Sequence, residues 1–146
     1  MKKILLDTSV LVAAMVESHP EHSKAFPYLR DARRGRFKGI IAAHTLAELY
    51  AVLTSLPVQP RIGVDVAWRL IEENLLGLFS VIALSKSDYI SVIKRLSEQH
   101  VTGGATYDAL IAHAAYKAGV DKLVTFNVED FKRVCPEKLT SVISAV

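Results

Sequence analysis

Acidic residues in this chain fall where short apolar runs end. Asp7 follows Ile4-Leu5-Leu6, and Glu48 sits early in a helical stretch after Ile40-Ile41-Ala42. Asp108 opens another helical stretch, and Asn127 and Asp130 come directly after Leu123-Val124-Thr125. Carboxylate and amide oxygens suit hard divalent cations, and Mg²⁺ in particular is held by one or two carboxylates together with water and substrate phosphate. Three or four carboxylates in one pocket repel one another, so that one is forced to stay protonated. A bound Mg²⁺ or Mn²⁺ removes that conflict, polarises a phosphoryl oxygen and lowers the pKa of an attacking water. Asp7, Glu48, Asp108 and Asp130 are therefore the candidate acids, with the neutral amide of Asn127 as a further candidate ligand.

Each acid also has a purely structural reading. Thr45-Leu46-Ala47-Glu48 fits a capping box, in which Glu48 reaches back to the N–H of the cap. Asp108 lies two residues after Thr106, a plausible N-cap, where negative charge suits the helix dipole. Asn127 fits an N-cap with Asp130 at its third position, and Asp7 fits a turn or a cap for the helix that follows it. Capping does not explain why several acids would meet at one edge. Nor does it explain a charge at the end of a buried strand, where a lone carboxylate is costly.

The elements that must position these residues can be read from apolar patterning and breakers. Residues 2–6, 39–43, 79–84, 122–125 and 140–143 read as short strands. Residues 10–16, 19–34, 45–56, 62–76, 86–100, 107–118 and 129–134 read as helices, with Pro27 kinking the second or starting its latter half. Gly35 and Gly119 close helices, Pro57 stops one, and Gly103-Gly104 marks a loop. Strands alternating with helices, and apolar on both faces, imply a short central parallel sheet in a three-layer α/β/α sandwich. In such folds ligands bind at the carboxyl ends of the strands. Asp7, Glu48 and the Asn127–Asp130 pair fall at that edge, whereas Asp108 joins them only if the loop 101–106 carries its helix start there.

Composition bounds the rest. A chain of 146 residues with 51% hydrophobic residues suits one domain, 1–146, with one packed core. The single cysteine, Cys135, allows neither an internal disulfide nor a Cys-based zinc site, fits a reducing cytoplasmic setting, and reads as buried or inert. The opening Met1-Lys2-Lys3-Ile4-Leu5-Leu6 imitates an export signal, but Asp7 interrupts the apolar run, so a buried strand and then a helix is the better reading. No uncharged run approaches the roughly 18 residues needed to span a bilayer. Net charge is +3, with residues 24–38 contributing +5 from Lys24, Arg30, Arg33, Arg34, Arg36 and Lys38 against Asp31. That segment reads either as a solvated helix end or as a phosphate-contacting patch, with Arg30, Arg33, Arg34 and Arg36 as its candidate contacts to a polyanion.

Four segments together resemble the motifs of PIN domains. Ile4-Leu5-Leu6-Asp7-Thr8-Ser9-Val10-Leu11 is similar to the opening motif, and Ala47-Glu48-Leu49 to the second. Tyr107-Asp108-Ala109-Leu110-Ile111-Ala112 is similar to the third, and Leu123-Val124-Thr125-Phe126-Asn127-Val128-Glu129-Asp130-Phe131 to the fourth. The motifs run from residue 4 to residue 131, nearly the whole chain. The resemblance implies an α/β/α ribonuclease using Mg²⁺ or Mn²⁺. It further implies a VapC-type toxin of a toxin–antitoxin pair, a homodimer blocked by a cognate antitoxin. Asp7, Glu48 and Asp108 match the family's acidic positions directly. Where the family often has Asp two residues after the strand-ending Thr, this chain has Asn127, so either Asn127 or Asp130 completes the set. Thr8, Ser9 and Thr125 stand where hydroxyls could orient acids or waters.

Other residues carry weaker signals. His19 and His22 flank Pro20 in an exposed turn, His44 falls near the site edge, and His113, five residues past Asp108, faces another way, while His100 is unplaced. Trp68, Leu70, Ile71 and Leu75 read as core or as an oligomer face. Two alternatives to a nuclease stand beside it. A phosphoacceptor receiver domain should carry a pair of acids after the first strand and a lysine after the last, and this chain has neither. A PIN-like scaffold acting through partner binding draws on the neutral Asn127.

Overall fold

The computed structural model describes residues 1–146. Five parallel strands form one sheet: β1 (Lys3–Leu6), β2 (Lys38–Ala42), β3 (Ser80–Ile82), β4 (Lys122–Thr125) and β5 (Ile143–Ala145), in the spatial order β3-β2-β1-β4-β5. The chain builds outward from β1 in one direction through β2 and β3, then returns to its other side for β4 and β5. The topological reversal therefore lies between β1 and β4, where side chains from two strand ends diverge into a crevice. Leu5 pairs with both Ile40 and Leu123, so β1 is central and hydrogen-bonded on both edges.

Seven α-helices cover the sheet: α1 (Thr8–Met15), α2 (His22–Arg33), α3 (Ala43–Leu53), α4 (Val64–Asn74), α5 (Lys86–Glu98), α6 (Ala105–Ala118) and α7 (Val128–Val134). Alternation along β1 sorts them into two layers. Ile4 and Leu6 face a core cluster shared with α1, α2, α3 and α4, through residues such as Leu11, Leu29, Leu49 and Ile71. Leu5 faces the opposite cluster with Ile111 and Ala115 of α6 and Phe131 of α7. Val92 and Leu96 of α5 pack on Ala109, Leu110 and Val134 in a third cluster. The expected three-layer α/β/α arrangement is thus present, and its three inner strands, β2, β1 and β4, are largely buried on both faces, while the edge strands β3 and β5 are partly exposed.

Several boundaries differ from the sequence reading, each for a local reason. Helix α1 starts at Thr8 rather than Val10, because the Asp7 side chain accepts the Thr8 N–H and caps it. Helix α2 is shorter than residues 19–34 and runs through Pro27 without a break. No loop separates β2 from α3: Ala42 is the N-cap, without a side-chain bond, and Thr45 is already inside the helix. The capping box expected at Thr45 and Glu48 is therefore absent. Helix α6 starts at Ala105 after Gly104, so Thr106 is not its cap, and Asn127 occupies the N-cap position of α7 without a side-chain capping bond. The last strand begins at Ile143, because a 3₁₀ turn (Glu137–Val142) takes up residues expected to be extended. Cys135 is half-buried rather than buried.

Helices α5 and α6 are clasped by one carboxylate. Ser85 and Asp88 form the capping box of α5, and Asp88 also meets His113 Nε2 at 3.1 Å and Lys117 Nζ at 2.7 Å. The Lys117 ammonium, with the Ser85 N–H and His113, holds the Asp88 carboxyl well below the usual carboxylate range. His113 is thereby turned toward α5, away from the strand-end acids.

Gly39 of β2 is required by a close approach. A Cβ there would lie 2.5 Å from two ring atoms of Phe79, itself buried in the core. Gly39→Ala is expected to destabilise the fold by about 1–3 kcal/mol through overpacking. A urea unfolding midpoint unchanged from the parent would refute this close packing of β2 against Phe79.

Candidate active site

Asp7 is the first residue after β1, and its backbone N–H continues the ladder by donating to Val124 O at 3.1 Å. Its side chain is only 4% exposed. Three donors reach it: Thr8 N–H to Oδ1 at 2.7 Å, and Ser9 Oγ and Thr125 Oγ1 to Oδ2 at 2.7 and 2.9 Å. Burial nevertheless pushes the Asp7 carboxyl above its ordinary range, against the lowering effect of those hydrogen bonds. No cationic side chain pairs with it. Thr125 is fixed in turn by the Asn127 N–H, which donates to its Oγ1 at 2.9 Å.

Glu48 reaches the same region from the second turn of α3. Thr8 Oγ1 lies 3.1 Å from Glu48 Oε1 and 3.3 Å from the fully buried Thr45 Oγ1. Thr8 has one proton to give, and the carboxylate is the stronger acceptor. Thr45, read from sequence as a cap, instead backs the hydroxyl that holds Glu48; lying three residues earlier on the same helix face was the available signal. Burial raises the Glu48 carboxyl, as the neighbouring Asp7 charge does more weakly, while His44, 3.7 Å from Oε1, and the Thr8 hydroxyl oppose the rise.

Asp108 arrives from the first turn of α6, so the loop 101–106 does bring that helix start to the shared edge. It makes no ion pair or hydrogen bond to another side chain. Burial first, then the charges of Asp7, Asp130 and Glu48, push its carboxyl up to about 6, with Arg133 opposing. Asp7, Glu48, Asp108 and Asn127 line one cavity of about 760 Å³, together with Thr8, Ser9 and Thr125. Asp130 is exposed on the first turn of α7 and does not line it, although its charge is felt at Asp108.

The opposite wall was not anticipated. His19, Glu21 and Lys24, from the start of α2 and the turn before it, line the cavity, as does Val146. Lys24 is 3.4 Å from Glu21. The arginines singled out from the basic segment are elsewhere. Lys24 and Arg33 are about 13 Å apart along α2, and Arg30, Arg33, Arg34 and Arg36 cluster at the end away from the cavity. There Asp31 pairs with Arg30 at 3.2 Å and Arg36 at 3.5 Å, while Arg33 bonds Asn74 of α4. His44 stacks on Tyr107, ring centroids 4.9 Å apart and planes 5° from parallel, a contact that no sequence spacing announces.

The donor set is all oxygen, which fits a hard divalent cation and neither zinc nor copper of the thiolate type. No three Asp, Glu, His or Cys side chains stand close enough to complete a coordination shell by themselves. That spacing fits an ion held by one or two carboxylates with water and substrate oxygens filling the remainder.

Comparison with known proteins agrees with this geometry. Residues 4–136 match the PIN domain family model. Ribonuclease VapC40 of Mycobacterium tuberculosis is 37% identical over 131 residues, covering 88% of this chain and 91% of the relative. The fold is shared with VapBC2 from Rickettsia felis, solved bound to a DNA fragment from their promoter, at TM-score 0.67, 21% identity and 98% coverage of both chains. It is shared also with the sarcin-ricin loop cleaving toxin VapC20 of Mycobacterium tuberculosis, at TM-score 0.64 and 18% identity, covering 82% of this chain and 86% of that one. The chain, with its strand-end acids on a β3-β2-β1-β4-β5 sheet, belongs to the PIN-domain family.

Proposed function

We propose that this protein is a metal-dependent endoribonuclease, the toxin of a toxin–antitoxin pair, with Asp7, Glu48 and Asp108 as the acids that would hold its metal, directly or through water. One observation carries the reading. Three half-buried or buried carboxylates, each raised above its ordinary range, line a single cavity with Asn127, where the one lining lysine or arginine, Lys24, lies beside Glu21. Such crowding is relieved by a divalent cation, and Mg²⁺ or Mn²⁺ matches the oxygen donors. The name of the 37%-identical relative supports RNA as the substrate.

A bound Mg²⁺ or Mn²⁺ would polarise a phosphoryl oxygen and lower the pKa of an attacking water. The chain's own residues do the rest. Ser9, Thr125 and the Thr8 N–H hold Asp7 in one orientation, and Thr8 holds Glu48. Asp108 has no such restraint and is free to accept a proton or a water. Asn127 offers a neutral oxygen at the position nearest Thr125, and Asp130 acts from outside the cavity, through its field and through water. Exposed apolar residues on α4 (Val64, Trp68) and α5 (Ile90, Ile93) are suited to a second copy and an antitoxin. No helix is long and apolar enough to cross a membrane, and a cytoplasmic setting is the consistent location.

A PIN-like scaffold without catalysis gains from the lack of a ready-made three-ligand cluster. Mn²⁺ affinity no greater than that of Asp7→Asn would favour it. For the nuclease, Asp7→Asn and Asp108→Asn should each lower RNA cleavage more than about 100-fold, beyond what loss of a mere ligand-orienting partner costs. Their folded content by circular dichroism should match the parent, and cleavage at the parental rate by either variant removes it from the site.

The raised carboxyls also set a pH dependence. A carboxyl that binds its proton more tightly when folded destabilises the fold once ionised. Metal-free protein should therefore lose stability as pH rises from the ordinary carboxyl value of 3.8 to about 6, the Asp108 value, change little above that, and regain it as the pH is lowered again. Mn²⁺ should raise the melting temperature by a few degrees at pH 8 and by less at pH 5. Asp108→Asn should flatten both trends; an unaltered melting profile in that variant would show that Asp108 is not their source.

A further inference from the structure

The acid cluster poses a binding problem for a polyanion. Asp7, Glu48 and Asp108 line the cavity, Asp130 adds its field, and the one lysine or arginine lining it, Lys24, lies beside Glu21. Even with a divalent cation present, phosphate contacts alone give this cavity little hold on a nucleic acid strand. The remaining source of affinity is the face of a base, which carries no charge and stacks on any flat aromatic ring.

One aromatic residue is placed for that. Tyr107 directly precedes Asp108 in the first turn of α6 and is 49% exposed. One of its faces is covered by His44, with ring planes only 5° apart, and His44 in turn touches Glu48. The two rings thus span from one cavity-lining acid to the other, joining α3 to α6. Phe126, the one Phe, Tyr or Trp side chain that lines the cavity itself, is committed to the core cluster instead. A ring already backed by a parallel neighbour loses little freedom when a third ring is added, so the stack is pre-organised.

We propose that the His44–Tyr107 stack is a base platform, on which an unpaired nucleobase of the substrate lies beside the acid cluster. Tyr107 is then a specificity-determining residue for single-stranded RNA. A base in a duplex is already stacked on both sides, so only an unpaired or splayed base can use the ring. The inference rests on the ribonuclease reading above, and its test separates the two.

Fluorescence anisotropy with the full chain in the Asp7→Asn background, where RNA stays intact, would compare a labelled ten-nucleotide oligoadenylate with a ribose-phosphate decamer lacking bases. Tyr107→Ala should weaken oligoadenylate binding about 5- to 150-fold, the range of one base–aromatic stack, while Tyr107→Phe and Tyr107→Trp stay within about threefold. Binding of the decamer without bases should be the same in all four proteins. Equal oligoadenylate binding by Tyr107→Ala overturns the platform. So does a parallel loss for both probes, which would make Tyr107 a support for the site's shape, or a change in self-association with RNA binding intact. Absence of RNA cleavage by the wild-type protein in Mn²⁺ would instead overturn the ribonuclease reading, whatever Tyr107 does to binding.

Discussion

A carboxyl group with almost no exposed surface closes the central strand of this protein, and most of the surrounding architecture can be understood as its accommodation. Asp7 cannot be left unpaired in such a place. Its neighbours supply the Thr8 N–H, the Ser9 hydroxyl and the Thr125 hydroxyl from the adjoining strand. The same group caps α1, so the direction of that helix and the position of the acid are set together. Three hydrogen bonds do not fully offset burial, and the carboxyl stays raised. The site is therefore held in a state that favours the arrival of positive charge.

Parallel topology explains how the other acids come to share that environment. Because β1 is central, its carboxyl end is flanked by the ends of β2 and β4. The chain leaving β2 turns at once into α3, which brings Glu48 over the Thr8 hydroxyl. The chain leaving β4 presents Thr125 and Asn127. Asp108 comes from a helix that precedes its strand, and packing of α6 on the sheet face opposite α1 carries its start to the same crevice.

The layer pattern and the gathering of Asp7 and Glu48 at one edge were legible in the sequence because they follow from rules of local reach, whereas the place of Asp108 depended on where the loop before it led. Apolar runs mark buried strands, and residues just past a parallel strand fall at one edge. What escaped depended on contacts between segments far apart in sequence. Glu48 looked like a capping-box residue because the absence of any loop between Ala42 and Ala43 is not visible in the residue types. The arginines of the basic segment looked like a phosphate patch, but helical rise carries them away from the cavity, and Asp31 and Asn74 engage three of them. The Tyr107–His44 stack joins positions 63 residues apart and needed the packing of α3 against α6 to appear.

The Asp88 clasp between α5 and α6 has a consequence for which surface changes the acid cavity can tolerate. Its partners, Ser85, His113 and Lys117, are none of them part of the acid cavity. Ile90 and Ile93 of α5 are exposed, whereas Val92 and Leu96 are the residues of that helix that pack on Ala109 and Leu110 of α6. Substitution of those outward residues leaves the seat of α6 intact, and with it the placement of Asp108. The outward face of α5 and the carboxyl at the start of α6 are thus separate territories, and a change of side chain on one need not be felt at the other.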